Sequence, residues 1–155
     1  FGHKIINLMP TNLYGPNDNF SENDSHVIPG LIFRMHNAKI NNEDRFSIWG
    51  SGKPLREFLY VDDLSEAIKL IIEKDVDQQI LNVGSSEEIS IIDLAKLIKK
   101  VLQYDGELIF DSTKPDGNPR KLLDSTKMFS YGWKPNIRLE EGIKLSYDWF
   151  LKNSA

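Results

Sequence analysis

The run at residues 4–9, with Ile5, Ile6, Leu8 and Met9, constrains this chain more than any other segment. It is too apolar throughout to alternate, as expected of a strand buried on both faces. That expectation commits the chain to an α/β architecture. The strand empties into a polar loop, Pro-Thr-Asn-Leu-Tyr-Gly-Pro-Asn-Asp-Asn at 10–19, and His26 follows at the mouth of a helix. Open α/β sheets place ligands beyond such strand ends, so the search for a site begins there.

The rest of the pattern alternates helices with short strands. A helix is predicted over 25–39, with Val27, Ile28, Leu31, Ile32 and Met35 as its apolar stripe. Asn23, Asp24 or Ser25 stands ready to cap its first amides, and Pro29 is tolerable in the first turn. A second helix starts after Asp62 or Asp63, burying Leu64, Ala67, Ile68 and Ile71. The third carries a capping-box-like start, Ser90 with Asp93, followed by Leu94, Ala95, Ile98, Val101 and Leu102. A last helix over about 139–152 buries Ile143, Tyr147, Phe150 and Leu151. Strands are predicted at 46–49, 57–60, 80–83 and 107–111, with a hairpin-like turn at Gly50-Ser51-Gly52 between the first two. The loop 112–121 lacks periodicity and carries Lys114, Asp116, Arg120 and Lys121; loops of that kind are often functional.

Composition excludes several classes of function. The 155 residues suffice for one modest core, and a net charge of −4 gives no reason to expect nucleic acid or an anionic membrane as partner. With no cysteine there is no disulfide and no thiolate nucleophile, a usage that agrees with a cytoplasmic protein. No apolar run reaches bilayer length. Three histidines without helical pairing argue against a metal site. The ten glycines offer no G-x-G-x-x-G spacing for a dinucleotide fingerprint. Four residues after each tyrosine stand Asp18, Leu64, Leu108, Pro135 and Leu151, so no Tyr-x-x-x-Lys pair exists. The chain also opens at Phe1, already running into a strand, and the expectation is a fragment of a longer protein.

Four stretches carry a family likeness: residues 10–29, 49–59 (Trp-Gly-Ser-Gly-Lys-Pro-Leu-Arg-Glu-Phe-Leu), 81–84 (Leu-Asn-Val-Gly) and 114–121 (Lys-Pro-Asp-Gly-Asn-Pro-Arg-Lys). Together they resemble the extended short-chain dehydrogenase/reductases, and within them the NADP-dependent GDP-L-fucose synthase type. The last stretch is the most specific of the four. The resemblance implies that 1–155 is the C-terminal half, a substrate-binding lobe retaining strands 4–9 and 80–83 of a missing Rossmann sheet. It implies NADP(H) as cofactor and a GDP-sugar as substrate. It also implies conversion of GDP-4-keto-6-deoxy-D-mannose to GDP-L-fucose by an intact, homodimeric enzyme. The fragment alone would be inactive and prone to self-association through exposed strands. Two alternatives stay open: another extended-family nucleotide-sugar epimerase or dehydratase, and a non-catalytic nucleotide-sugar-binding module.

Residue by residue, His26 matches the acid/base histidine of the family, which also lies against the nicotinamide. Histidine suits such work because both of its protonation states are accessible near neutral pH. Pro10, Thr11, Asn12 and Leu13 match the stretch lining nicotinamide and ribose. Arg34, Trp49, Arg56, Asp116 and Lys121 match substrate-binding positions. Their chemistry fits: planar guanidinium forks for phosphate, an indole for stacking, a carboxylate for a guanine edge. His3, His36, Arg45 and Arg138 lack such context and read as surface, while Trp133 and Trp149 read as packing.

Overall fold

The computed structural model describes residues 4–153. Its elements run β1 (Asn7–Pro10), β2 (Asn12–Tyr14), α1 (Val27–Ile40), β3 (Arg45–Trp49), β4 (Leu55–Tyr60), α2 (Val61–Glu73) and β5 (Ile80–Val83), then β6 (Glu88–Ser90), α3 (Ile91–Leu102), β7 (Glu107–Asp111), β8 (Arg120–Lys121), α4 (Thr126–Ser130) and α5 (Leu139–Asn153). Parallel pairings dominate, as an α/β protein requires. β1 pairs with β5, β2 with β4 and β3 with β7, all in parallel, while β6 joins β4 antiparallel and β8 joins it in parallel.

β4 is the strand buried on both faces. Its alternation sends Phe58 and Tyr60 into one core and Leu59 into the other. The first core gathers α1, α3 and α5 through Ile28, Ile32, Met35, Leu94, Ile98, Ile143 and Phe150. The second lies under α2 and β5 and holds Ala67, Ile71, Leu81, Val83, Met128 and Trp133. Each such fully buried aliphatic side chain contributes about 1.5–3 kcal/mol by leaving water.

Several expectations need correction. The first strand begins only at Asn7 and is not buried on both faces: Leu8 is half-buried and Met9 is 53% exposed, because β1 has β5 alone as neighbour among the described residues. The Gly50-Ser51-Gly52 turn does not close a hairpin. β3 leaves for β7 and β4 for β2, so the turn joins strands of different sheets. No side chain caps α1; Ser25 Oγ instead donates to Ser21 O at 2.8 Å. Val27 is exposed at the first turn of α1, and the buried stripe is carried by Ile28, Leu31, Ile32, Met35 and Ala38. α2 starts at Val61, which puts Asp63 inside the helix. Its buried carboxylate accepts from the Asn136 and Ile137 amides at 2.8 and 3.1 Å, tying α2 to the approach of α5. Ile68 and Leu151 face solvent.

His36 is half-buried, not a free surface group. Its Nδ1 lies 3.0 Å from the Tyr147 hydroxyl, and its ring packs edge-on to Phe150. His3 lies outside the described residues. Trp133 is core and Trp149 stacks on Phe20, whereas Arg45 and Arg138 are exposed.

The capping at α3 is as predicted: the Asp93 amide donates to Ser90 Oγ at 3.1 Å and Ser90 Oγ donates to the Asp93 carboxylate at 2.7 Å. Replacing Ser90 with Ala is expected to cost about 1 kcal/mol, read as a lower urea midpoint with unchanged slope. A second expectation concerns pH. Burial first, then the nearby Lys39 charge, lower the His36 imidazole from its ordinary 6.5. The unfolded chain therefore takes the proton first, so this contribution is intact above pH 6.5 and is lost as pH falls through the lowered folded value. In His36→Gln, the fall of stability between about pH 7 and 5 should be shallower than in the unaltered protein. Equal slopes in denaturant titrations would contradict it.

Candidate functional site

Two cavities meet at the first turn of α1. The larger, about 690 Å³, is lined by Thr11, Asn12, Leu13 and the turn through Asp18 on one side. Ile28, Phe58 and Val61 give it an apolar wall. The smaller, about 260 Å³, lies on the far side of α1 against β3, β4 and the loop 112–121. Ser25, His26 and Val27 line both. His26 therefore stands on the partition between them.

The partition follows from helix geometry. Positions 27, 30, 31 and 34 recur at i, i+3, i+4 and i+7, one face of α1, and all four line the smaller cavity. This face brings Arg34 to Trp49 and Arg56, which arrive from β3 and β4. Asp116 completes the wall from the loop. Four of the five expected substrate-binding residues thus line one cavity, although they lie up to 82 positions apart (116 − 34).

Each of these side chains is held. Arg34 is half-buried, with its guanidinium carbon 5.4 Å from the Phe46 ring centroid and 5.8 Å from that of Trp49. Burial lowers its guanidinium from the ordinary value, opposed by Glu22; an arginine so shifted keeps its charge. Arg56 Nη1 donates to Leu55 O and Asn118 O, both at 2.7 Å, and so ties the loop 112–121 to β4. The Asp116 carboxylate accepts from Ser51 N at 2.8 Å and from Ser51 Oγ at 2.6 Å. Trp49 is 64% exposed, with Lys114 Nζ 5.9 Å from its centroid, so its indole is available for stacking. The His26 side chain is 84% exposed, and its Nδ1 lies 3.7 Å from Asp18 Oδ1.

Two expected residues line neither cavity. Pro10 ends β1 opposite Val83, and Lys121 lies in β8 opposite Arg56. The strand end itself is a junction. Thr11 donates its amide to Val83 O at 3.0 Å and its hydroxyl to Glu57 O at 3.2 Å, where β1 passes over to β2. Asn12 spends its side-chain N–H on the same carbonyl at 2.7 Å, leaving its amide oxygen to the cavity.

Sequence reasoning missed Glu57. It is fully buried, and its carboxyl oxygens accept from the Ser86 and Leu123 amides at 2.7 and 3.0 Å. A Cβ at Gly84 would overlap this carboxyl, so only glycine lets β5 end there. A Glu directly ahead of the apolar run Phe58-Leu59-Tyr60, within a predicted strand, was the available signal. No cluster of three or more metal-ligating side chains forms among the described residues, and no helix there is long and apolar enough to cross a membrane.

Comparison with known proteins points one way. Residues 1–84 match the model of the NAD dependent epimerase/dehydratase family. The chain is 49% identical to GDP-L-fucose synthase 1 of Arabidopsis thaliana over 98% of its own length and 47% of that relative's. It is 44% identical to the GDP-L-fucose synthase of Escherichia coli K12, over 99% of this chain and 50% of the other. A crystal structure of a GDP-L-fucose synthetase from Naegleria fowleri bound to NADP superposes with TM-score 0.88 at 33% identity, covering 96% of this chain and 47% of that one. The chain spans about half the length of the curated relatives it matches.

The geometry at Glu57 carries its own expectation. Glu57→Gln turns one acceptor into an N–H₂ group facing a backbone N–H, and should destabilise the protein by about 1–3 kcal/mol. Denaturant unfolding at neutral pH measures this; an unchanged midpoint would mean that the two amides find other acceptors.

Proposed function

The chain belongs to the NAD dependent epimerase/dehydratase family, and we propose that the protein carrying it is an NADP-dependent GDP-L-fucose synthase. In this reading the chain supplies the GDP-sugar pocket and the acid/base histidine. The observation that carries the proposal is the position of His26 on the partition between a strand-end cavity and one walled by Arg34, Trp49, Arg56 and Asp116.

The larger cavity fits a nicotinamide group, offering polar strand-end atoms on one side and apolar Ile28, Phe58 and Val61 on the other. Thr11, Asn12, Leu13 and His26 would hold it, with Pro10 at the entering strand. Bound there, NADPH supplies the hydride that reduces the carbon-4 ketone. The chain's own residues do the rest. Arg34 and Arg56 provide fixed cations for a diphosphate, their planar forks suiting paired oxygens. Trp49 offers an aromatic face and Asp116 a carboxylate for the nucleoside. Lys121, exposed at the loop's end, adds a further cation near Arg56.

Epimerisation at the carbons flanking a ketone requires removing a proton and returning one on the opposite face. His26 accepts or returns such a proton at an imidazole nitrogen, with Asp18 Oδ1 3.7 Å from Nδ1. No side chain caps the first amides of α1, so the positive end of its dipole stands open where His26 and Val27 line both cavities.

In the full-length protein, His26→Asn is expected to slow epimerisation by about 10²–10⁴-fold, the usual worth of a general acid/base. Reduction of the ketone should fall less. The variant should then release GDP-6-deoxy-D-sugars reduced without inversion, and deuterium wash-in beside the ketone should fall in parallel. Normal wash-in and normal product stereochemistry together would remove His26 from the chemistry.

A further inference from the structure

The turn between β3 and β4 is built around one carboxylate. Ser51 N donates to Asp116 Oδ1 and Ser51 Oγ to Asp116 Oδ2, a two-point grip that fixes the plane of the carboxyl group. Gly50 makes room for it. Its φ of +81° is left-handed, and a Cβ there would overlap Asp116 Oδ1. Gly50 N is itself anchored to Asp111 O at 2.9 Å, so the turn is pinned to the last residue of β7. Asp116 reaches the smaller cavity; Ser51 and Gly50 do not line it. The grip therefore acts on the cavity from behind.

A carboxylate has about four lone-pair sites. Ser51 occupies one on each oxygen, leaving one on each for a ligand. Such an oxygen pair matches two adjacent donors held in one plane. We propose that Ser51 is a positioning residue that presents Asp116 to a paired-donor edge of the nucleoside in the smaller cavity. Two parts of a guanosine nucleotide offer that chemistry: the N1–H and 2-amino edge of the base, and the ribose diol. The inference rests on the GDP-sugar reading and adds a specificity determinant to it. The same two bonds also hold the Asp116 carboxyl below its ordinary value, keeping it an acceptor.

The test is calorimetric titration of the full-length protein and of S51A and S51T with GDP, IDP, 2′-deoxy-GDP and NADPH. S51A should weaken GDP by about tenfold, the scale of one hydrogen bond to a charged group, with NADPH affinity unchanged. S51T, which restores the hydroxyl, should return most of that loss. If the base edge is read, the preference for GDP over IDP shrinks in S51A; if the diol is read, the preference over 2′-deoxy-GDP shrinks. A loose turn alone would lower all three nucleotides by one factor and leave both preferences intact, and that result overturns the proposal. So does an S51A affinity for GDP equal to that of the unaltered protein. Unaltered protein that binds NADPH but none of the three nucleotides would instead overturn the GDP-sugar reading itself.

Discussion

Glu57, fully buried on β4, holds the strand-end turn and two distant segments of chain in place. Its oxygens take the amides of Ser86 and Leu123, and its backbone carbonyl takes the side chains of Thr11 and Asn12. Three separate segments of chain are thereby referred to a single residue on β4. A carboxyl group in an apolar interior is costly unless its acceptors are matched by donors, and here backbone amides do the matching with no basic side chain paired to it among the described residues. The arrangement locks both partner segments because neither amide has another acceptor as near.

β4 reaches both cavities, with Phe58 in the wall of one and Arg56 in that of the other. The strand faces one core with Phe58 and Tyr60 and the other with Leu59, while Arg56 and the buried Glu57 near its start hold different segments. Arg56 holds the loop 112–121 through Asn118 O; Glu57 holds the strand-end side. Adjacent residues in a strand point to opposite faces, so a single step along β4 separates the two attachments. The loop needs such fixing. All ten of its residues are exposed, and besides Arg56 it is restrained by the Asp116–Ser51 bonds and by Arg120, whose guanidinium meets Glu88 at 2.8 and 2.7 Å.

Helices were legible in the sequence because their stripes bury enough apolar surface to show at a 3.6-residue period; α3, with its cap, is the clearest case. Strand existence was legible too, with 107–111 read to the residue. Pairing was not. Nothing local distinguishes a turn that closes a hairpin from one that passes between sheets, and Gly50-Ser51-Gly52 does the latter. Short elements such as β6, β8 and α4 carry too few residues for a period to register. His36 was misjudged for a related reason: its partner Tyr147 lies 111 positions away on α5. The grouping of Arg34, Trp49, Arg56 and Asp116 rested on family likeness. The structure supplies the physical reason, one face of α1 turned toward the ends of β3 and β4.

The parallel pairing of β3 with β7 has a consequence in time. These strands lie some sixty residues apart, with Phe46 opposite Leu108, and the bonds from Arg56 to Asn118 and from Glu57 to Leu123 span 62 and 66 positions. Contacts of such separation form only after a long loop has been closed, at an entropic cost that local helices never meet. α1 and α3 can therefore gain their stripes early, while the wall of the smaller cavity waits for the loop 112–121 to come off the ribosome. During that interval β4, the most deeply buried strand of the finished protein, still lacks β8. The nascent protein is thus most exposed to misassociation along the strand that carries Arg56 and Glu57, and its pocket is among the last features to be born.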